Sequence, residues 1–368
     1  MSASQVDPEQ DESGPIMSLD NSPIVDIIHQ RRLAARRAVS RNPHAPSCGS
    51  PFIALARGLH MGIAGNGAKV GALDLRLANL RVDGALALGA EIDGRIVNIT
   101  RAGRELNLPA PADIDDLLQN GLADQVRAIV ERIRSKGGHA GLEAADVVFA
   151  PLVTRPRKIV CVGFNYQAHA AETGTPVPKA PPLFAKYANA LNHHRGEVTL
   201  PTRVDREFDY ETELVLIFGE RCRDVPEADA LSVLAGYAIG NDISARGLQN
   251  ITSQFMAGKM SDGFAPLGPW LVTRDRVPDP NALRLRTWMN GELVQDGNTA
   301  DMIFDCRKIV SYVTSIMSIE PGDIVFTGTP PGVIWGQKVP REQRRWLAPG
   351  DEVVSSIEGL GELSVRFA

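Results

Sequence analysis

The run Asp209-Tyr210-Glu211-Thr212-Glu213-Leu214-Val215-Leu216-Ile217-Phe218-Gly219 sets carboxylates at every second position just ahead of an unbroken apolar stretch. Side chains alternate faces along a strand, so Asp209, Glu211 and Glu213 project from one face of a strand that enters a core. Unpaired carboxylates entering a core repel one another and carry a heavy desolvation cost. A divalent cation with oxygen ligands is the simplest compensation. A Glu-x-Glu on its own is also the pattern of a solvated acidic stripe. A second run, Tyr237-Ala238-Ile239-Gly240-Asn241-Asp242-Ile243-Ser244-Ala245-Arg246, reads as another buried strand ending in Asp242. Together Glu211, Glu213 and Asp242 make half of an octahedral Mg²⁺ or Mn²⁺ site, with the open positions that a catalytic metal needs for water or substrate. Alone, Asp242 would equally cap a turn.

A third run, from Lys158 to Glu172, reads as a buried strand, a Gly-Asn turn and a short helix. His169 and Glu172, three apart on that helix, share a face, so the carboxylate orients the imidazole as a general base. A lone His near a Glu is more often a surface pair. Gly174 to Pro182 carries too much proline for a core and is read as a mobile flap. Lys186 and Lys259 complete the set; beside a metal their ammonium groups would steady carboxylate and enolate oxygens. The default reading of any lysine is a surface residue whose stem lies on apolar neighbours. Thr327-Gly328-Thr329-Pro330-Pro331-Gly332-Val333 offers backbone N–H groups to a substrate carboxylate, or is simply a turn.

Strands and turns must position these residues. From Lys158 onward short apolar runs are punctuated by Asn290-Gly291, by Pro-Gly-Asp at 321–323 and 349–351, and by Glu358-Gly359-Leu360-Gly361, which predicts a strand-dominated domain, a β-sandwich or roll. Its clearest helix is expected over Asp301 to Met317, with Ile303, Ile309, Val310, Val313 and Ile316 inward. Upstream, Asp93-Gly94 between alternating apolar residues predicts a hairpin, and Ile114 to Ile133 has helical spacing, so residues 51–155 read as a small α+β domain. Residues 1–50 pass from acidic to basic with few large apolar groups and read as a disordered extension, or as a short basic helix over Ile24 to Val39.

Bulk properties narrow the classes. With 39 basic and 44 acidic residues the chain carries a net charge of −5 and no basic footprint for nucleic acid. Cys48, Cys161, Cys222 and Cys306 lie far apart, without a CxxC pair, which fits a reducing compartment and neither a zinc knuckle nor a disulfide framework. No apolar run approaches the roughly 18 residues of a membrane span, and the first residues show no secretory h-region, so a soluble protein is expected. A cytoplasmic protein that binds neither membrane nor nucleic acid is expected.

In this order the runs resemble the fumarylacetoacetate hydrolase superfamily, over about residues 156–368 and more loosely over 52–155. The resemblance rests on Gly-Phe-Asn-Tyr-x-x-His-x-x-Glu, Glu-x-Glu, Asn-Asp-x-Ser-Ala-Arg, Gly-Lys, Pro-Leu-Gly-Pro-Trp, Asn-Gly-Glu, Gly-Asn-Thr-x-x-Met-Ile-Phe and Thr-Gly-Thr-Pro. It implies an α+β, mainly β fold: a mixed β-sandwich roll catalytic domain after a small N-terminal domain, usually as a homodimer. It implies Mg²⁺ or Mn²⁺, with Ca²⁺ in some members, at Glu211, Glu213 and Asp242. By the same carry-over His169, Glu172, Lys186 and Lys259 are catalytic, and Tyr166, Arg246, Gln249 and Thr329 bind a small 2-oxo acid. Gly-Lys-Met-Ser-Asp departs from the Gly-Lys-Ser-Phe-Asp of many relatives. The implied reaction is hydrolysis of a C–C bond in a 2,4-diketo acid of acylpyruvate type, with a pyruvate enolate as leaving group at the cation. Oxaloacetate decarboxylation and 2-hydroxydienoate isomerisation or hydration use the same scaffold, and a catalytically silent binding paralogue is the alternative from another class.

Overall fold

The turn chemistry of the sequence closes the hairpins directly. Asp83-Gly84, Asp93-Gly94 and Asn290-Gly291 all have positive φ, between 50° and 84°, as two-residue hairpins with the twist of their strands require. In the computed structural model, residues 69–136, 141–172, 174 and 176–368 are described. The expected extension over residues 1–50, its basic segment and the start of the small domain to residue 68 lie outside the described residues, as do position 175 of the proline-rich loop and position 173 just before it.

The strands are β1 (Arg76–Val82), β2 (Ala85–Ile92), β3 (Arg95–Asn98), β4 (Ile159–Val162), β5 (Leu183–Lys186) and β6 (Leu191–Asn192). Next come β7 (Gly196–Val198), β8 (Phe208–Asp209), β9 (Thr212–Phe218), β10 (Leu234–Asn241), β11 (Ser244–Ala245) and β12 (Ala265–Thr273). The last are β13 (Arg284–Met289), β14 (Glu292–Asn298), β15 (Ile324–Phe326), β16 (Glu352–Ile357) and β17 (Gly361–Phe367). A ten-stranded mixed sheet runs β3-β2-β1-β12-β10-β9-β15-β4-β5, with β6 beside β12. A five-stranded sheet runs β14-β13-β16-β17-β7, and β8 pairs with β11. The fold is α+β and mainly β.

Every residue of β9, β10 and β12 is buried, because both faces of the large sheet are covered. One face packs Val215, Ile217 and Leu271 against Ile99, Leu117, Val126 and Ile129 of the helices upstream. The other packs Leu214, Leu216 and Phe218 near Leu285 and Ile357 of the small sheet and Ile309 and Val313 of the helix Cys306–Ile316. In the small sheet β16 alternates half-buried and buried residues, one face against the core.

The structure differs from the sequence expectations in two helices. The spacing over Ile114 to Ile133 is divided into helices Ile114–Gln119 and Ala123–Lys136 at Gly121, whose φ of 64° is left-handed. The later helix starts at Cys306 rather than Asp301, because Asp305 caps it by accepting from the Lys308 N–H at 2.8 Å, which leaves Ile303 outside. The line expected near residue 155 is crossed by the large sheet: β1 pairs with β12 through Arg76 opposite Val272 and Leu77 opposite Leu271. The described residues belong to one compact unit. Among them no helix is long and apolar enough to cross a membrane.

Candidate metal centre and active site

Strand register brings the carboxylates together. β9 and β10 are antiparallel, with Thr212 opposite Asn241 and Glu213 opposite Gly240. The Asp242 N–H donates to the Glu211 carbonyl at 2.8 Å, so the pairing continues one residue further. Directly opposed residues share a face, and so do residues two apart. Glu211, Glu213 and Asp242 therefore converge: one carboxylate oxygen from each lies within 4.8 Å of the others, and all three residues are buried. Asp209 sits apart on β8, where it accepts from the Ile334 and Trp335 N–H groups at 2.8 and 3.0 Å and pairs with Arg246.

The charges around the three carboxylates are unevenly shared. Glu211 accepts from Arg246 Nη2 at 2.7 Å and from Lys259 Nζ. Burial works to raise its pKa, but Arg246 and Lys259 outweigh it and hold the carboxyl well below the usual range. Asp242 meets Lys259 Nζ at 2.8 Å and Lys186 Nζ at 2.6 Å. Glu213 has no ion pair among the described residues; it accepts from the Gly328 N–H at 2.6 Å. Burial, then the charges of Asp242 and Glu211, push its pKa well above the carboxylate range. A buried acid without a cation, next to two others and with only oxygen donors in the set, is what a hard divalent cation would compensate. The residues fit such an ion.

The two lysines differ. Lys186 donates to three backbone carbonyls, Ile243 at 3.1 Å and Lys259 and Phe264 at 2.7 Å each, besides its ion pair with Asp242. An ammonium has three N–H donors, so this one is saturated and fixes Asp242 and the Lys259 loop from behind. Lys259 Nζ hydrogen-bonds to carboxylates, lies 5.2 Å from the centroid of the Phe184 ring, and lines the pocket.

On the helix Gln167–Glu172, His169 Nδ1 lies 3.0 Å from Glu172 Oε1. Both Glu172 oxygens accept from the Gly332 N–H, at 3.2 Å each. His169, the three carboxylates, Arg246, Gln249, Lys259 and Thr329 border one pocket. Gly328 turns there with φ 95°, and a Cβ would lie 2.8 Å from that of Asn165, so the close approach of the two loops requires glycine.

The family model described as fumarylacetoacetate (FAA) hydrolase C-terminal matches residues 158–368, more than half of the chain and all the residues just described. The chain belongs to the fumarylacetoacetate hydrolase family. This family member is 41% identical over 222 residues to oxaloacetate tautomerase FAHD2A, mitochondrial, of Homo sapiens, a match covering 60% of this chain and 69% of that one. Its fold is similar to maleylpyruvate hydrolase from Sphingobium sp. SYK-6, solved in complex with manganese(II) and pyruvate, with TM-score 0.63 and 29% identity over 80% of this chain and 98% of that one. It is also similar to 2-hydroxyhepta-2,4-diene-1,7-dioate isomerase from Mycobacterium marinum, with TM-score 0.57 and 28% identity over 80% of this chain and 98% of that one.

Not every residue expected at the site of this family member reaches it. Tyr166 is fully buried in the apolar core with Leu285 and Met302 and does not border the pocket. Thr329 borders it, but its hydroxyl is committed: it donates to the Thr212 carbonyl and accepts from Gln295 Nε2, both at 2.9 Å. Gln249 accepts from Arg246 Nη1 at 2.9 Å. The sequence reasoning missed a buried polar network from the small sheet. Thr287 Oγ1 donates to Gln295 Oε1 and accepts from Thr212 Oγ1, at 2.7 Å each, and Ser355 Oγ meets Thr212 Oγ1 at 2.6 Å and Asn241 Nδ2 at 3.1 Å. Asn241 Oδ1 in turn accepts from the Glu211 N–H at 2.9 Å. Thr212 faces the small sheet while Glu211 and Glu213 face the pocket, so the network holds the carboxylate strand from its other side. The available signal was the hydroxyl between two acids in Glu-Thr-Glu, at a position that strand alternation turns inward.

Proposed function

We propose that this chain is a divalent-metal-dependent hydrolase that cleaves the C–C bond of a 2,4-diketo acid of acylpyruvate type, releasing a carboxylate and pyruvate. The observation that carries the reading is a single pocket bordered by the three-carboxylate cluster on one side and the His169–Glu172 dyad on another. Glu211, Glu213 and Asp242 would hold Mg²⁺ or Mn²⁺, which when bound supplies a Lewis acid for the oxygens of a 2-oxo acid.

The remaining chemistry falls to the chain's own groups. With Nδ1 turned to Glu172, His169 presents Nε2 as the proton acceptor. It takes a proton from water as the oxygen adds to the distal carbonyl. The bond between that carbonyl carbon and the CH₂ then breaks, its electron pair passing to the CH₂ carbon as the enolate of pyruvate. Lys259 Nζ, beside Glu211 and Asp242, faces that charge. Return of the proton from His169 to the CH₂ carbon gives pyruvate, and one water has been consumed.

The 41% identity to a protein named oxaloacetate tautomerase favours a second reading, enol-to-keto conversion of oxaloacetate. It would use His169 to move a proton to and from carbon, with no water added.

Pyruvate release from a panel of acylpyruvates tests the first reading. Release with Mg²⁺ or Mn²⁺ that is lost with chelator and in Glu211→Ala is expected. No release, together with a metal-dependent ultraviolet change on oxaloacetate, overturns hydrolysis in favour of the tautomerase; full activity of Glu211→Ala overturns the metal assignment.

A further inference from the structure

Four of the residues that line the pocket are aromatic. Phe164 and Phe184 each set a ring edge-to-face against Phe255, with centroids 5.8 and 5.9 Å apart. Trp335 lies over the Arg246 guanidinium at 5.0 Å from its ring centroid. All four rings are half-buried and border the pocket, so each offers apolar surface to whatever enters.

Charge sharpens the picture. Among the described buried groups at and directly behind the floor, Asp209, Glu211, Glu213 and Asp242, all ionised when a cation is bound, outnumber Arg246, Lys186 and Lys259 by one. A divalent cation reverses that excess, and the single carboxylate of one 2-oxo acid head neutralises it. Among the described residues that border the pocket, a second carboxylate at the far end of the substrate finds no cation without a carboxylate of its own: Arg246 is matched by Asp209 and Glu211, and Lys259 by Glu211 and Asp242. Burying an unpaired charge against rings is strongly unfavourable, whereas burying a neutral apolar tail there is favourable.

We infer that Phe164, Phe184, Phe255 and Trp335 determine specificity, selecting 2-oxo acids whose tail is neutral and apolar, aryl or alkyl, over those ending in a second carboxylate. This rests on the proposed 2-oxo acid reading. Phe255 is the hinge of the wall, because it touches both other phenylalanines.

The test is calorimetric binding to the full chain loaded with Mn²⁺. The probes are a 2-oxo acid with a phenyl tail, one of similar length ending in a carboxylate, and pyruvate, which has no tail. The phenyl ligand is expected to bind roughly 30-fold more tightly than the carboxylate-ended one, the worth of one buried ring. Phe255→Ala should remove most of that preference and leave pyruvate binding unchanged. Phe255→Arg, supplying the missing cation, should reverse it; if that variant does not fold, the alanine variant decides. Equal or tighter binding of the carboxylate-ended ligand, or an undiminished preference in Phe255→Ala, overturns the inference and leaves the 2-oxo acid reading standing. Failure of all three probes to bind overturns both.

Discussion

The carboxylate floor of the pocket and its aromatic wall are built on different elements and held by different means. The floor grows from β9 and the end of β10, where ladder register fixes Glu211, Glu213 and Asp242 and a hydroxyl and amide network grips the strand from behind. The wall comes from a turn at Phe164, the edge strand β5, and short 3₁₀ turns carrying Phe255 and Trp335, held by ring contacts, the Arg246 guanidinium over Trp335 and the Lys259 ammonium over Phe184. Central strands resist rearrangement, whereas turns accept substitution. The division separates what the pocket does from what it admits, and relatives named as hydrolase, isomerase and tautomerase share this fold.

Each half of that contrast can be broken separately. The largest effect is expected at the dyad: His169→Ala should slow turnover by about 10²- to 10⁴-fold while Mn²⁺ affinity stays within error, since His169 is outside the carboxylate set. Loss of Mn²⁺ binding in that variant would merge the two parts. Next come the two lysines. Lys186→Met leaves Asp242 Oδ1 and three carbonyls without their donor and should cost roughly 3–5 kcal/mol of stability, measured by denaturant melts. Lys259→Met should cost less stability and more kcat; the reverse order would contradict the assignment of Lys186 as the positioning lysine.

Smaller effects follow from the network. Thr287→Val strips an acceptor from Thr212 and a donor from Gln295 and should cost about 1–3 kcal/mol. Because it acts behind the carboxylates, Mn²⁺ affinity should fall by about 10- to 100-fold. A stability loss with unchanged affinity would reduce the network to a packing role. The smallest effect lies far from the pocket. Burial first, then Arg195 and His193, lower the His194 pKa to about 4. Its Nδ1 accepts from the Ser364 N–H at 3.1 Å, which requires the neutral ring. Below the ordinary value of 6.5 the unfolded chain takes up this proton before the folded one does. Stability should therefore decline as pH falls from about 6.5 toward 4, and His194→Gln should flatten that slope in pH-dependent melts. An unchanged slope would remove His194 from the account.

Much of the floor was legible because period-2 alternation is local: Glu211 and Glu213 declare a shared face within three residues, and His169 and Glu172 do so within one helical turn. Family resemblance supplied the rest of the set. Tyr166 was misplaced because its motif neighbours approach the pocket while its own ring turns into the core. The grip of Thr287, Gln295 and Ser355 and the aromatic wall stayed hidden because they join segments more than 70 residues apart, and no local pattern encodes which buried hydroxyl meets which strand. The same non-local pairing explains why β1 to β3 read as a separate domain although they extend the large sheet.

The most direct test of the central claim is a calorimetric Mn²⁺ titration of the wild-type chain and of Glu213→Ala, paired with metal-free melting of both. Among the three carboxylates Glu213 alone has no ion pair in the described residues, so one site is expected in the wild type, its loss in the variant, and a metal-free variant at least as stable as the wild type because an acid costly to bury beside Asp242 and Glu211 has gone. Equal Mn²⁺ binding by the two proteins, or none by the wild type, would contradict a metal centre at Glu211, Glu213 and Asp242.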